Sequence, residues 1–192
     1  MFAAQTDSGD CRRQRRSGLS MKRNSTRYLT FMAMMITLAL ILSYFETLIP
    51  AIPIPGAKIG LPNLVTLLVL STLGFWDALV ILIIRTTIVS MLFTSVLSLA
   101  YSLSGGILSL VIMFLVIRFL KDRISIVATS VIGATMHSVG QVLCAMLIVE
   151  SFSLATLLPI LILISIVTGM IVGFSAKFTL KHFNLMLRKG TT

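Results

Sequence analysis

Ala78-Leu-Val-Ile-Leu-Ile-Ile-Arg85-Thr-Thr-Ile-Val-Ser-Met-Leu-Phe-Thr-Ser-Val-Leu-Ser-Leu99 is an apolar run long enough to cross a bilayer, with one guanidinium inside it. A spanning helix needs about 20 such residues. Arginine at the centre of a spanning helix costs roughly 2.5–3.5 kcal/mol even on the lenient insertion scale, so Arg85 is expected to face protein, water or a ligand rather than lipid. An interior polar site is therefore the starting hypothesis.

The rest of the chain fits that reading. Of 192 residues, 57% are hydrophobic and 11% charged, and the mean hydropathy is +1.03. This is the composition of an integral membrane protein. The formal charge of +10 raises the question of nucleic acid. The basic residues, however, are gathered in the flanks and one loop, as orientation signals are, so nucleic-acid binding is not expected. Cys11 and Cys144 are far apart and have neither paired nor metal-ligand spacing, so no disulfide framework follows.

Apolar segments at 28–49, 59–73, 76–99, 101–120, 124–149 and 154–180 predict an all-α bundle of about six transmembrane helices. The second is short and opens with Gly60-Leu-Pro-Asn63, which predicts an irregular start or a start below the membrane surface. Residues 1–27 form a polar, basic tail with no signal-peptide pattern, expected to be disordered and cytoplasmic. Met21 followed by Lys-Arg-Asn-Ser-Thr-Arg is an equally plausible start. The membrane domain is then 28–181, and 182–192 is a second basic tail.

Lysine and arginine set the orientation. Arg12, Arg13, Arg15, Arg16, Lys22, Arg23 and Arg27 precede the first span, Arg118, Lys121 and Arg123 lie between the fourth and fifth, and Lys177, Lys181, Arg188 and Lys189 close the chain. Six spans put all three clusters on one side, whereas five would divide them. Both termini are thus expected in the cytoplasm of a multi-pass cell-membrane protein. Glu46, Lys58 and Glu150 mark the outer edge. Three prolines in Pro50-Ala-Ile-Pro-Ile-Pro-Gly56 preclude helix, so this stretch reads as a stiff outer loop, either a connector or the cover of a pocket. Gly105-Gly106 and Gly169-Met-Ile-Val-Gly173 read as small-residue contacts between helices.

The candidate binding set is Glu46, Lys58, Asn63, Arg85, His137 and Gln141. Individually these have ordinary readings: Glu46 as a hydrated interfacial acid, Lys58 as a snorkelling cation, and Asn63 or His137 as a bridge between helices. His137 and Gln141 are four residues apart and share one helix face, at the same general depth as Arg85. A guanidinium away from water grips carboxylate or phosphate strongly, so an anionic solute would suit the set. Pairing of Arg85 with Glu46 alone is the internal alternative.

Absences restrict the chemistry. There is no G-x-x-x-x-G-K-[ST] loop, so energy from ATP would have to come from another subunit. The chain has six acidic residues, and Glu46, Asp77, Asp122 and Glu150 are far apart, unlike the aspartate cluster of diphosphate chemistry. His137 and His182 have no adjacent carboxylate, so no metal site is expected. No nucleophile has an evident base partner, no cofactor is implied, and enzyme activity is not expected.

Ser43-Tyr-Phe-Glu46, Pro55-Gly-Ala-Lys-Ile-Gly-Leu-Pro-Asn63, Arg85, Ser102-Leu-Ser-Gly-Gly-Ile-Leu-Ser109 and Gly133-Ala-Thr-Met-His-Ser-Val-Gly-Gln141 together resemble the Gx transporter family, also labelled heptaprenyl diphosphate synthase component I. The resemblance covers about residues 27–181. It implies a fold like the six-helix substrate-binding component of energy-coupling factor transporters. Such a component captures a vitamin-like or quinone-precursor-like small molecule and docks on a transmembrane coupling subunit driven by two ATPase subunits. One departure is Ser138, where the family pattern often has asparagine. By the same resemblance a small-residue stripe on the first helix would dock on the coupling subunit, here Ala33, Thr37, Ala39 and Ser43. The family label implies a rival role, an accessory membrane subunit of heptaprenyl diphosphate or menaquinone synthesis.

Overall fold

A computed structural model of the chain describes residues 26–48, 60–93, 95–120 and 124–189, with the side chains of Arg27 and of 183–189 excepted. The proline loop, Lys58, residues 1–25, residues 190–192 and the loop cluster at 121–123 lie outside the described residues. Six α-helices follow one another: α1 Thr26–Leu48, α2 Asn63–Thr72, α3 Phe75–Phe93, α4 Val96–Leu120, α5 Ile126–Val149 and α6 Leu158–Lys189. A 3₁₀ segment, Phe152–Leu157, leads into α6.

Five of these helices are long and apolar enough to cross a membrane, and α2, at 10 residues, is too short by itself. Contacts at the two ends of α1 show what the short helix does. At one end the Tyr28 hydroxyl donates to Asp77 Oδ1 at 2.6 Å. At the other, the Gly60 N–H donates to Glu46, and the rings of Tyr44 and Phe93 lie 5.1 Å apart. Hence α1 and α3 run parallel, and the chain from Gly60 to Asp77 must return over nearly the whole height of α1, about 26 Å at 1.5 Å per residue. It does so through tight turns, with Asn63, Leu64 and Val65 N–H groups bonded three residues back to Gly60, Leu61 and Pro62. Gly74, at φ +117°, then reverses direction into α3. Among the described residues the chain thus traverses the height of the bundle six times, five times by long helices and once by a broken segment.

An even number of crossings gathers the described basic residues. Arg118 on α4 and Lys177 and Lys181 on α6 fall at the end of the bundle where α1 begins. Glu46 and Glu150 fall at the opposite end.

The helices α1, α3, α4, α5 and α6 pack in that order, and α2 touches all five. Seven of its residues are buried, Asn63, Val65, Thr66, Leu67, Leu68, Val69 and Leu70, because this short helix is enclosed on every side. The other helices turn large apolar side chains outward, among them Ile41, Met91, Val96, Phe119, Leu147 and Phe178. Exposure of that kind suits lipid, where the apolar face has no reason to be inside.

Backbone contact holds α4, α5 and α6 together. A Cβ on Gly140 would lie 2.8 Å from Gly105 Cα, and one on Gly169 or Gly173 would lie 2.8 Å from the Cα of Val131 or Val127. Hydroxyls stitch the same interfaces: Ser109 donates to the Gly133 carbonyl at 2.7 Å, and the hydroxyls of Ser138 and Ser165 are 2.6 Å apart. The glycine pairs thus serve close helix approach, as their spacing predicts.

Four boundaries differ from the hydropathy reading. The third helix ends at Phe93 rather than 99, and α4 starts at Val96 with the Ser95 hydroxyl accepting from the Ser98 N–H at 3.3 Å. A serine that caps a helix is invisible to an apolar average. The last helix starts after the 3₁₀ segment and continues to Lys189, beyond the expected tail boundary at 181.

Candidate functional site

Arg85 sits on the face of α3 that carries Ala78, Ile81, Leu82 and Val89, all buried, and is itself 5% exposed. It therefore avoids lipid, as its cost there demands. Its guanidinium reaches two other helices. One terminal nitrogen donates to Ser43 Oγ on α1 at 3.5 Å, and the other to Asn63 Oδ1 at the start of α2 at 3.3 Å. Both are long for such bonds, and Nε has no partner.

Asn63 is positioned by the break before α2. Pro62 precedes the helix without a side-chain cap, which leaves Asn63 at the positive end of the α2 dipole inside the bundle. Its oxygen faces Arg85, so its amide Nδ2 points elsewhere and lacks a partner. Glu46, one turn outward of Ser43 on α1, anchors the Gly60 backbone N–H and acts on Arg85 through its charge. Ser43, Glu46, Asn63 and Arg85 thus form one polar cluster in the outer half of α1–α3.

His137 and Gln141 lie on a different helix, both 5% exposed. They pack against the Gly105 position of α4, where an added Cβ would meet the His137 carbonyl at 2.6 Å and Gln141 Cγ at 2.8 Å. The neighbouring Gly106 would meet Leu82 Cδ1 of α3 at 2.6 Å. Leu82 and Gln141 therefore flank the same level of α4, and Arg85 stands three residues outward of Leu82, about 4.5 Å. The Nε2 amide of Gln141 has no partner. Arg85, Asn63 and Gln141 so present three buried N–H donors without acceptors. Buried groups of this type are normally satisfied, so each exception calls for a physical explanation.

Two placements differ from the sequence reading. Ala39 and Ser43 face the interior, fully buried and 5% exposed respectively, whereas Ala33 and Thr37 are on the outer face of α1. Six residues from Ala33 to Ala39 rotate the helix by about 240° at 3.6 residues per turn, so these positions cannot form one stripe. Sequence reasoning also overlooked Ser43 as a partner of Arg85. The available signal was its position three residues before Glu46, on the same face. A second buried hydroxyl, Ser90 on α3, has no partner and stood out by nothing in its local sequence.

Among the described residues no group of three or more His, Cys, Asp or Glu could hold a metal ion. The site offers amide and guanidinium N–H groups, which bind acceptors: carboxylate, phosphate or carbonyl oxygen.

No curated protein and no solved structure matches the chain. A family model does, over residues 35–179, a range that includes α2 to α5 whole, most of α1 and α6, and Glu46, Asn63, Arg85, His137 and Gln141. The chain is a member of the heptaprenyl diphosphate synthase component I family.

Proposed function

We propose that this chain is the solute-binding component of a small-molecule uptake transporter in the cell membrane, of the energy-coupling factor type, and that its solute carries a carboxylate or phosphate. The observation that carries the reading is Arg85: a cation buried in the outer half of the bundle, held by two long bonds to neutral groups, with Nε unpartnered. A cation placed solely for stability would be expected to have its donors filled. The start of α2 beside it adds the positive end of a helix dipole, the arrangement by which broken helices in transporters favour anionic groups. Ala33 and Thr37 remain the positions proposed to meet a transmembrane coupling subunit with its two ATPases, because they alone of the four small residues face outward on α1.

The family description supports a second reading, an accessory membrane subunit of heptaprenyl diphosphate synthesis. In that reading the same donors would hold the diphosphate of a lipid-soluble intermediate supplied by a partner enzyme. Native mass spectrometry of gently purified protein separates the two. A co-purified small carboxylate or phosphate that is lost in Arg85→Ala supports solute capture. A prenyl diphosphate supports the second reading. Protein from its native host that carries no small molecule, with Arg85→Ala cells retaining every tested uptake activity at normal protein levels, overturns both uses of Arg85.

A further inference from the structure

The described acidic residues are Glu46, Asp77 and Glu150. Two of them lie at the outer end of the bundle, and Asp77 accepts from the Tyr28 hydroxyl where α1 meets α3. From Ser151 onward the chain has no aspartate or glutamate, yet α6 carries Lys177 and Lys181, both exposed. Residues four apart stand one above the other on a helix, so the two lysines share one side. Phe174 and Phe178, 53% and 70% exposed, belong to the same side. At 100° per residue the four positions occupy an arc of about 100°. The other flank of this stretch is already used: Ala176 is fully buried and Leu180 is 8% exposed. The neighbouring exposed hydroxyls, Ser175 and Thr179, donate to carbonyls of their own helix at 2.9 and 2.8 Å.

Depth gives this face its meaning. Between Leu158, where α6 begins, and Ala176 there is no charged residue. Lys177 follows after about 28 Å of helix at 1.5 Å per residue, close to the about 30 Å of a hydrocarbon core. The adjacent helix gives the same level. A Cβ on Gly173 would lie 2.8 Å from Val127 Cα, near the start of α5, where the Ser125 hydroxyl accepts from the Ala128 N–H at 3.1 Å. Lys177 thus stands in the headgroup layer at the inner end, Lys181 about 6 Å further out of the membrane and Phe174 about 4.5 Å inside the hydrocarbon.

From this we infer that this face of α6 binds an anionic phospholipid of the inner leaflet, its phosphate between Lys177 and Lys181 and its glycerol and upper acyl chains along Phe174 and Phe178. Charge complementarity selects that occupant: two cations with no described carboxylate beside them meet a negative headgroup at its own depth. A zwitterionic lipid brings a cation of its own to the same place. A water-soluble anion would make no use of two phenyl rings at hydrocarbon depth. The inference is independent of the anion site around Arg85.

Titration of the purified full chain in dodecyl maltoside with phosphatidylglycerol or phosphatidylcholine of identical acyl chains, read by native mass spectrometry, tests it. The wild type is expected to bind phosphatidylglycerol about 25-fold more tightly, about five-fold for each lysine. Lys177→Gln with Lys181→Gln is expected to bring that ratio near one, and Lys177→Arg with Lys181→Arg to keep it. Phe174→Ala with Phe178→Ala is expected to weaken both lipids and leave the ratio. Arg118→Gln, which removes a cation from α4 at the same end, is expected to change neither. Equal binding of the two lipids by the wild type, or a preference that survives the double glutamine variant, would overturn the inference. So would an equal loss in Arg118→Gln, which would mean diffuse attraction, or displacement of the lipid by millimolar inorganic phosphate, which would mark a site for a soluble anion.

Discussion

Replacing Arg85 and Asn63 together with methionine and leucine should make the protein more stable while abolishing solute binding. In the wild type the guanidinium is 5% exposed and makes bonds of 3.5 and 3.3 Å to Ser43 and Asn63, at the weak end of the useful range. Each buried donor without a partner costs about 1–3 kcal/mol, and here Arg85 Nε and Asn63 Nδ2 both lack one. Arg85→Met alone removes one unsatisfied donor and strands the Asn63 oxygen, so its net effect on stability should be small, within about 1 kcal/mol. In the double variant nothing is stranded except Ser43, whose hydroxyl can turn to its own helix. Replacement of buried charge by apolar side chains of similar volume gains about 1–4 kcal/mol. Loss of attraction to Glu46 offsets part of this, leaving an expected gain of about 1–2 kcal/mol. Unfolding of the purified variants in dodecyl maltoside, by thermal or denaturant titration with the wild type as reference, measures it. A double variant less stable than wild type by more than about 2 kcal/mol would mean that the arginine holds the bundle together and would refute its assignment to a ligand.

Three other outcomes follow from particular contacts. Gly140→Ala should destabilise by about 1–3 kcal/mol, because its Cβ would meet Gly105 Cα at 2.8 Å and backbone cannot yield, whereas Gly106→Ala meets the end of the Leu82 side chain and should cost less; equal unfolding shifts would contradict the packing. Glu46→Gln keeps an oxygen for the Gly60 N–H but removes the charge that competes for Arg85, so affinity for an anionic probe such as benzoate should rise, and a fall would place Glu46 in contact with a cationic solute group. In a variant freed of Cys11 and Cys144, a cysteine at position 150 should react with a membrane-impermeant thiol reagent added to intact cells and one at position 181 should not. The reverse result would invert the orientation read from the basic residues.

Much of the architecture was legible because apolar length and charge placement are properties of the chain itself. The six segments, the short second one and the gathering of Arg118, Lys177 and Lys181 at one end needed no tertiary information. Ser95 was not legible as a helix start, since one serine barely lowers a hydropathy average over twenty residues. The helical course of α6 beyond 181 was hidden for the opposite reason: charged residues ended the apolar run without ending the helix. Within the site, Arg85, Asn63, Glu46 and Gln141 could be chosen because polarity in a membrane is costly. Their division between α1–α3 and α5 could not, because it depends on the order in which helices pack. Ser43 was grouped with a docking stripe by the family resemblance, and its burial beside Arg85 was not legible because a list of small residues says nothing of rotation about the helix axis.

The division also bears on affinity. On one side α4, α5 and α6 meet through backbone at glycine, with hydroxyl bonds of 2.6–2.7 Å across both interfaces, a wall that cannot adjust without moving whole helices. On the other, the links from α3 to α1 and α2 in the outer half are the two long Arg85 bonds, while the short Tyr28–Asp77 bond ties α1 to α3 at the far end. A solute that satisfied Arg85 Nε, Asn63 Nδ2 and Gln141 Nε2 would recover about 1–3 kcal/mol for each. The top of that range, about 9 kcal/mol in all, barely exceeds the about 8 kcal/mol of a micromolar complex before the costs of association, so hydrogen bonds to these three groups cannot by themselves give tight capture. The remainder has to come from the charge on Arg85 in a dry site and from apolar contact with the walls. A small anion without an apolar body should consequently bind weakly, and a solute that pairs an anionic head with an apolar or aromatic frame should bind well.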